Sequence, residues 1–259
     1  MTVTRKSRTE IDRMRRAGRI VAEVLALMEE TLRPGVSTAD LDRVAERHIR
    51  AAGATPSFKG YLGGGRYGAG PHAFPASICV SIDDEVVHGI PGERVIREGQ
   101  VVSVDAGAIW DGWHGDAART FIVGEVPAEV RALVESTRLS MMAGIAAAVA
   151  GNCVGDIGAA VEDVAREGGY GIVRHFVGHG IGTQMHEEPQ IPNFRTGSKG
   201  LRLVPGMCLA IEPMLTLGRD DVVVRRDGWT VATRDGSTAA HYEHTISVTE
   251  HGPEILTRI

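Results

Sequence analysis

The chain has 259 residues, 43% of them apolar and 24% charged, with a formal net charge of −5. That profile fits a globular protein with a substantial core, and it excludes a disordered chain or one whose main task is nucleic-acid binding. Three cysteines (Cys79, Cys153, Cys208), odd in number and without a CxxC pair, argue against a disulfide framework.

The first eight residues read as a short polar tail with no apolar stretch of the kind a signal peptide needs. The longest apolar run, Met141–Ala150, is too short and alanine-rich to span a bilayer. A reduced, cytoplasmic protein without a membrane partner is expected. Arg5, Arg8, Arg13, Arg15 and Arg16 read as a solvated helix face, with at most a weak contact to the ribosome and no specific nucleic-acid site.

Apolar residues at Ile11, Met14, Ile20, Val21, Val24, Leu25 and Met28 predict a helix over 9–32. "RPGVSTADL" breaks it and starts another, with Ser37 as N-cap and Asp40 three residues on as a variant capping box. Leu41, Val44, His48 and Ile49 continue the stripe, and Gly53 ends it. Two strand-like runs follow, "EGQVVSVDAG" and "GDAARTFIV".

The pattern then recurs. Pro127 suits a first helical turn, and Val130, Leu133, Val134 and Ile145 recur at helical spacing. "AGNCVGDIGAAVEDVAREGG" mirrors the second helix, with Asp156 against Asp40 and Ile157 against Leu41. "PGMCLAIEPM" aligns with "EGQVVSVDAG", which sets Glu212 opposite Asp105; "YEHTISV" aligns with "GDAARTFIV", which sets Glu243 opposite Asp116. The expectation is one domain over 1–259, built from duplicated helix–helix–strand halves, about 9–124 and 125–259, joined near Gly124–Pro127.

A carboxylate on an interior strand is unfavourable unless paired or bound to a cation. One such residue reads equally well as half of a salt bridge. Four of them, Asp105, Asp116, Glu212 and Glu243, at corresponding places in two halves with few arginines nearby, need concentrated positive charge. Two divalent cations, with a neutral imidazole completing the set, would supply it, and two metals sharing a water make a nucleophile near neutral pH. That pattern points to a hydrolase.

"HFVGHGIGTQMHEEPQ" (175–190) tests the alternatives. The glycine spacing fails the dinucleotide fingerprint, and HExxH fails because Pro189 interrupts the helix and no second histidine follows. What remains is His179 flanked by glycines and His186 seven residues on, one imidazole able to ligate a metal and the other to face substrate. His175 and His72 carry no further signal and read as structural or solvent-facing.

The series "DDEVVHGIP", "VDAGAIWDGWHGDAARTF", "FVGHGIGTQMHEEPQIPNF", "AIEPM" and "HYEHTISV" resembles that of the methionine aminopeptidases, more narrowly the bacterial type I form of the pita-bread metallopeptidase family. The resemblance runs from about Thr9 onward. His179 to Glu212 is a span of only 33 residues, without room for the helical insertion of type II enzymes. It implies an α+β, pita-bread fold: a curved antiparallel sheet flanked by two helix pairs in pseudo-twofold halves.

It also implies removal of the initiator methionine from nascent chains whose second residue is small. Two divalent ions (Co²⁺, Mn²⁺, Fe²⁺ or Zn²⁺) are implied, with a bridging hydroxide as nucleophile. Asp116 and Glu243 would bridge the ions, Asp105 would serve one, and His179 and Glu212 the other. Glu212 would also shuttle the proton, His186 would hydrogen-bond the scissile amide, and His88 would contact the backbone nitrogen of the second substrate residue. Phe58, Tyr61, Phe74, Cys79, Met185 and Trp229 would line the methionine pocket. A monomer is expected.

Two departures from the family pattern stand out. "LGGGRYGAGPHA" (Leu62–Ala73) lengthens the usual spacing between Tyr61 and Phe74; its glycines suggest a mobile lid, and it interrupts the pocket wall. His241 stands where glutamine is usual, and strand alternation would set it on the same face as Glu243, as a partner to the metal ligands. The alternatives are an X-Pro aminopeptidase or dipeptidase of the same fold, or a non-catalytic relative acting as a binding module.

Overall fold

Helix α1 (Arg8–Thr31) begins at a reciprocal capping box: the Ser7 side chain accepts from the Glu10 N–H, and the Glu10 carboxylate accepts from the Ser7 N–H at 2.6 Å. Its buried stripe is Met14, Ile20, Val21, Val24, Leu25 and Met28, close to the spacing read from the sequence. The chain is described here by a computed structural model, which covers residues 3–62 and 72–259.

Helix α2 (Thr38–Ala51) carries the expected Ser37/Asp40 box, with Asp40 accepting from the Ser37 N–H at 3.1 Å. Helix α4 (Val154–Glu167) repeats the device: Asp156 accepts from the Cys153 N–H at 2.8 Å. Its partner α3 (Ala128–Ala147) starts after Pro127 without a side-chain cap. The second helix of each pair thus starts as the repeat predicts, whereas α1 and α3 start differently.

Between α2 and α3 lie β1 (Thr55–Pro56), β2 (Ile78–Ile82), β3 (Glu85–Val87), β4 (Gln100–Trp110) and β5 (Trp113–Val123). After α4 come β6 (Gly171–Ile172), β7 (Gly178–Gly180), β8 (Glu187–Ile191), β9 (Cys208–Ile211), β10 (Met214–Thr216), β11 (Val222–Val224), β12 (Val231–Thr233), β13 (Ala239–His241), β14 (His244–Thr249) and β15 (Gly252–Ile255). The long strand β4 pairs with β1, β2 and β5, while β15-β14-β9-β7-β8 form a five-stranded sheet. Two smaller sheets, β13-β10-β6 and β11-β12-β3, complete the ladders, and all pairs are antiparallel.

Each helix pair covers its own sheet. Ile20, Val24, Met28, Leu41 and Ile49 bury against Ile78, Val102, Val104 and Phe121. Leu133, Met141, Ile145 and Ile157 bury against Leu209, Ile211, Leu215 and Ile246. Burying these apolar faces stabilises each layer by about 25 cal/mol per Å² of apolar surface removed from water. Among the described residues no helix is long and apolar enough to cross a membrane.

The two sheets meet along β5. Glu243 N–H donates to the Ala118 carbonyl at 2.9 Å, and Ala118 N–H donates back to the Glu243 carbonyl. Thr245 Oγ1 accepts from the Asp116 N–H at 3.0 Å and donates to the Asp116 carbonyl at 2.8 Å. Thr120 Oγ1 makes the same two bonds to His241. The strand expected to run on from His241 through "YEHTISV" is interrupted. The ladder stops at His241 and resumes at His244, because the backbone of Glu243 bonds across to β5.

Candidate metal centre

The four carboxylates arrive from two strand pairs. In the first pair Asp105 faces Ala118 and Asp116 faces Gly107, so the two acids sit diagonally on adjacent strands. In the second pair the last registered residues are Ile211 and His244, so Glu212 and Glu243 lie just beyond it, opposite one another. The junction along β5 brings the two sets together.

His179 enters from β7, which is held between β8 and β9. Atoms of Asp116, His179 and Glu243 lie within 4.8 Å of one another. His179 Nε2 stands 3.4 Å from Glu212 Oε1 and 4.0 Å from Asp116 Oδ2. Its Nδ1 is 2.9 Å from the Gly180 carbonyl. A proton there donates to that carbonyl and leaves the Nε2 lone pair facing the acids. The flanking glycines allow this closeness: a Cβ would fall 2.3 Å from the Ala210 oxygen at Gly178 and 2.2 Å from the Glu188 oxygen at Gly180. All five residues predicted as ligands from the resemblance are therefore contiguous.

Burial, and then mutual repulsion, push the proton affinities of Asp116, Glu212 and Glu243 well above the ordinary carboxylate range. Burial also lifts Asp105, to about 7. His179 is driven well below its ordinary value, chiefly by desolvation. Among the described residues no lysine or arginine pairs with these four acids. Asp105 Oδ1, Asp116 Oδ1 and Glu243 Oε1 are buried without any hydrogen-bond partner. Buried acceptors in this state require either protons or cations. Hard oxygens with one neutral imidazole fit a divalent ion such as Mn²⁺, Fe²⁺, Co²⁺ or Zn²⁺.

His241 Nε2, buried and unpartnered, stands 3.9 Å from Glu212 Oε2. It approaches Glu212 beyond the β10–β13 pair, although the strand breaks between residues 241 and 244.

Facing this cluster are the other two histidines. The His186 ring packs on His179 at 4.3 Å, and its Nδ1 lies 2.7 Å from the Tyr61 hydroxyl. His88 follows β3 in the left-handed region at φ 61°, with its ring edge-on to Phe176 and Trp229 at 5.5 and 6.4 Å. Such a backbone, rare outside glycine, often marks a functional site. Burial lowers His88 to about 4. His186 is shifted the same way, although its solvent-exposed edge lets water stabilise the imidazolium.

Phe58, Phe74, Cys79, Met185 and Trp229 form one apolar cluster with Ala76, and Tyr61 and Ile90 pack against it. The inserted segment does not divide this wall, contrary to the sequence reading. Gly60 N–H donates to the Phe74 carbonyl at 2.9 Å and Phe74 N–H to the Tyr61 carbonyl at 2.8 Å. The chain thus leaves and returns at one place. Trp229 Nε1–H closes the base by donating to the His72 carbonyl at 3.0 Å, while the His72 and His175 side chains are exposed. The predicted lid falls largely on residues 63–71, outside the described residues.

Three participants were missed. His114, on the same face of β5 as Asp116, is buried, lowered to about 4 by desolvation, and lies 3.0 Å from Ser57 Oγ. Strand alternation two residues before Asp116 could have pointed to it. Phe176 had no signal beyond its place beside the glycine stretch. Lys6 had none: its partner, Glu187, lies 181 residues away.

The model of metallopeptidase family M24 matches residues 12–250. A methionine aminopeptidase of Clostridium acetobutylicum is 50% identical over 97% of both chains. Methionine aminopeptidase 1 of Mycobacterium tuberculosis is 49% identical, over 98% of this chain and 95% of that one. Among solved structures, the methionine aminopeptidase of Thermotoga maritima superposes with a TM-score of 0.94 at 40% identity over the whole of both chains. An Xaa-Pro dipeptidase from Bacillus anthracis gives 0.77 at 26% identity, with this chain spanning 62% of its length.

Proposed function

The chain belongs to metallopeptidase family M24 and has its α+β, pita-bread fold, and we propose that it is a methionine aminopeptidase that removes the initiator methionine from new chains with a small second residue. The observation that carries this reading is the buried cluster of four carboxylates and His179, with unpartnered oxygens and no balancing lysine or arginine among the described residues. Relatives named for this activity at 41–50% identity support it, against 26% for the Xaa-Pro dipeptidase.

Asp116 and Glu243 would bridge two divalent ions, Asp105 would hold one, and His179 and Glu212 the other. When bound, such ions polarise the scissile carbonyl and make water a stronger nucleophile near neutral pH. Glu212 is the residue to accept the proton of the attacking water and pass it to the departing amine, with the His241 ring packed nearby, its Nε2 3.9 Å away. His186, with its Nδ1 accepting from Tyr61, turns Nε2–H toward the scissile amide and stabilises charge developing on its oxygen. His88, neutral at about pH 7, offers a lone pair to the N–H of the second substrate residue. The methionine side chain would sit against Phe58, Tyr61, Phe74, Cys79, Met185 and Trp229, where a flexible thioether packs well on aromatic edges. The protein would work in the cytoplasm as a monomer on emerging chains, with at most weak ribosome contact.

Incubation with Mn²⁺, Co²⁺ or Fe²⁺ and Met-Gly-Met-Met should release free methionine, while an Ala-Pro peptide should stay intact. Absence of methionine release with all three ions refutes the reading. His186→Ala should lower kcat by about 10²–10³, the effect of removing one oxyanion donor, with a smaller change in KM. Unchanged kcat in steady-state assays would remove His186 from the reacting centre.

A further inference from the structure

The side chain of Lys6 is 3% exposed, and lysine is almost never buried to that extent unless paired. Its Nζ lies 2.8 Å from Glu187 Oε2 and also donates to Thr4 Oγ1, which in turn donates to Glu187 Oε2 at 2.6 Å. The other Glu187 oxygen accepts from the Gln184 N–H at 3.2 Å. One carboxylate therefore fastens the turn 182–187 to the segment 4–6. That segment is anchored independently, by Lys6 N–H to the Gly206 carbonyl at 2.7 Å and Arg5 Nε–H to the Pro205 carbonyl at 3.1 Å. The far end of the turn is fixed where His114 N–H donates to the Gly182 carbonyl at 2.9 Å. A Cβ at Gly182 would fall 2.5 Å from Glu187 Oε1 and 2.6 Å from Lys6 Cε, so the glycine leaves room for the pair in its present position.

Between these fixed ends the turn carries Met185, in the apolar wall, and His186, packed on His179. A buried ion pair is poor evidence of stability in itself, since an apolar pair of similar volume often does as well. What the pair adds is direction: a charged hydrogen bond fixes Glu187, the residue next to His186, in one orientation. We propose that Lys6, acting through Glu187, is a positioning residue that holds the turn 182–187 so that His186 and Met185 meet the substrate. The inference rests on the reading of His186 as the donor to the scissile amide.

The test compares Lys6→Met and Lys6→Arg, each alone and combined with His186→Ala, in the Mn²⁺-loaded protein. Readouts are kcat and KM on Met-Gly-Met-Met, the melting temperature, and amide hydrogen exchange. Lys6→Met should lower kcat by about 10- to 100-fold, the scale of an ångström-sized misplacement, at temperatures where it is fully folded. Exchange should quicken across 182–187 and stay unchanged in β4 and β5. Lys6→Arg should restore most of kcat, and in the His186→Ala background Lys6→Met should change kcat less than about twofold, because the two act as one unit. The inference is overturned if Lys6→Met keeps kcat, if the loss follows only the unfolded fraction, or if the loss is the same with and without His186. Full activity of Lys6→Met beside an impaired His186→Ala refutes this inference alone, whereas a fully active His186→Ala refutes the underlying reading and the inference with it.

Discussion

A Glu243→Gln variant is expected to lose methionine-releasing activity by on the order of 10³-fold or more, while its metal-free form becomes harder to unfold than the parent. The loss follows from the proposed bridging role: several kcal/mol of transition-state stabilisation, at about 1.4 kcal/mol per tenfold, depends on the ions this carboxylate would hold. The gain in stability comes from the same residue. Glu243 is 2% exposed, one of its oxygens has no partner, and burial and then repulsion from Glu212 and Asp105 raise its proton affinity. The amide keeps the shape, is neutral without having to take up a proton, and offers N–H donors to the neighbouring acceptor oxygens. Melting and urea curves in EDTA, alongside kcat/KM in Mn²⁺, measure both effects. Retained activity would remove Glu243 from the metal set, and an unchanged or lower metal-free stability would show that repulsion in the cluster is unimportant.

The same tension explains which parts of the site could be read from sequence. Metal-binding acids must converge from separate strands, and in a duplicated chain convergence appears as equivalence. Asp105 answers Glu212 and Asp116 answers Glu243, so the repeat register exposed all four without any knowledge of the fold. The helices were legible for a local reason, since Ser37/Asp40 and Cys153/Asp156 make reciprocal bonds within four residues. Contacts between remote segments were not. Lys6 and Glu187 are joined only by folding, and nothing near either predicts the other. Spacing misled at Tyr61 and Phe74, because an insertion whose ends are hydrogen-bonded to each other leaves the wall intact. At His241 the strand gives up its ladder to bond β5, yet the side chain still lies beside an acid of the cluster, 3.9 Å from Glu212.

Without metal the protein is expected to lose stability as pH rises from about 6.5 to 8, and saturating Mn²⁺ should abolish that loss. Two sets of groups have opposite signs. His88 and His114 are lowered to about 4 and His241 to about 3 by burial. Below about 6.5 the unfolded chain binds protons that these rings refuse, so they make stability rise with pH up to that point. Asp105 is raised to about 7 by burial, and Asp116, Glu212 and Glu243 are raised well above the ordinary carboxylate range by burial and mutual repulsion. Above about 4 the native state still holds protons that the unfolded chain has released, so these acids make stability fall with pH. The two sets oppose one another up to about 6.5; above it only the acids remain. Each carboxylate still protonated in the native state then contributes a loss of about 1.4 kcal/mol per pH unit. Divalent ions displace those protons, so metal affinity should rise with pH across the same window, with protons released on binding. Urea unfolding at half-unit steps from pH 6.5 to 8, in EDTA and in Mn²⁺, reads both slopes. A metal-free slope that is flat or positive would contradict the clustered-acid account. In Glu243→Gln the slope should be shallower by one carboxylate's share, which ties the pH dependence to this cluster and not to acids elsewhere on the surface.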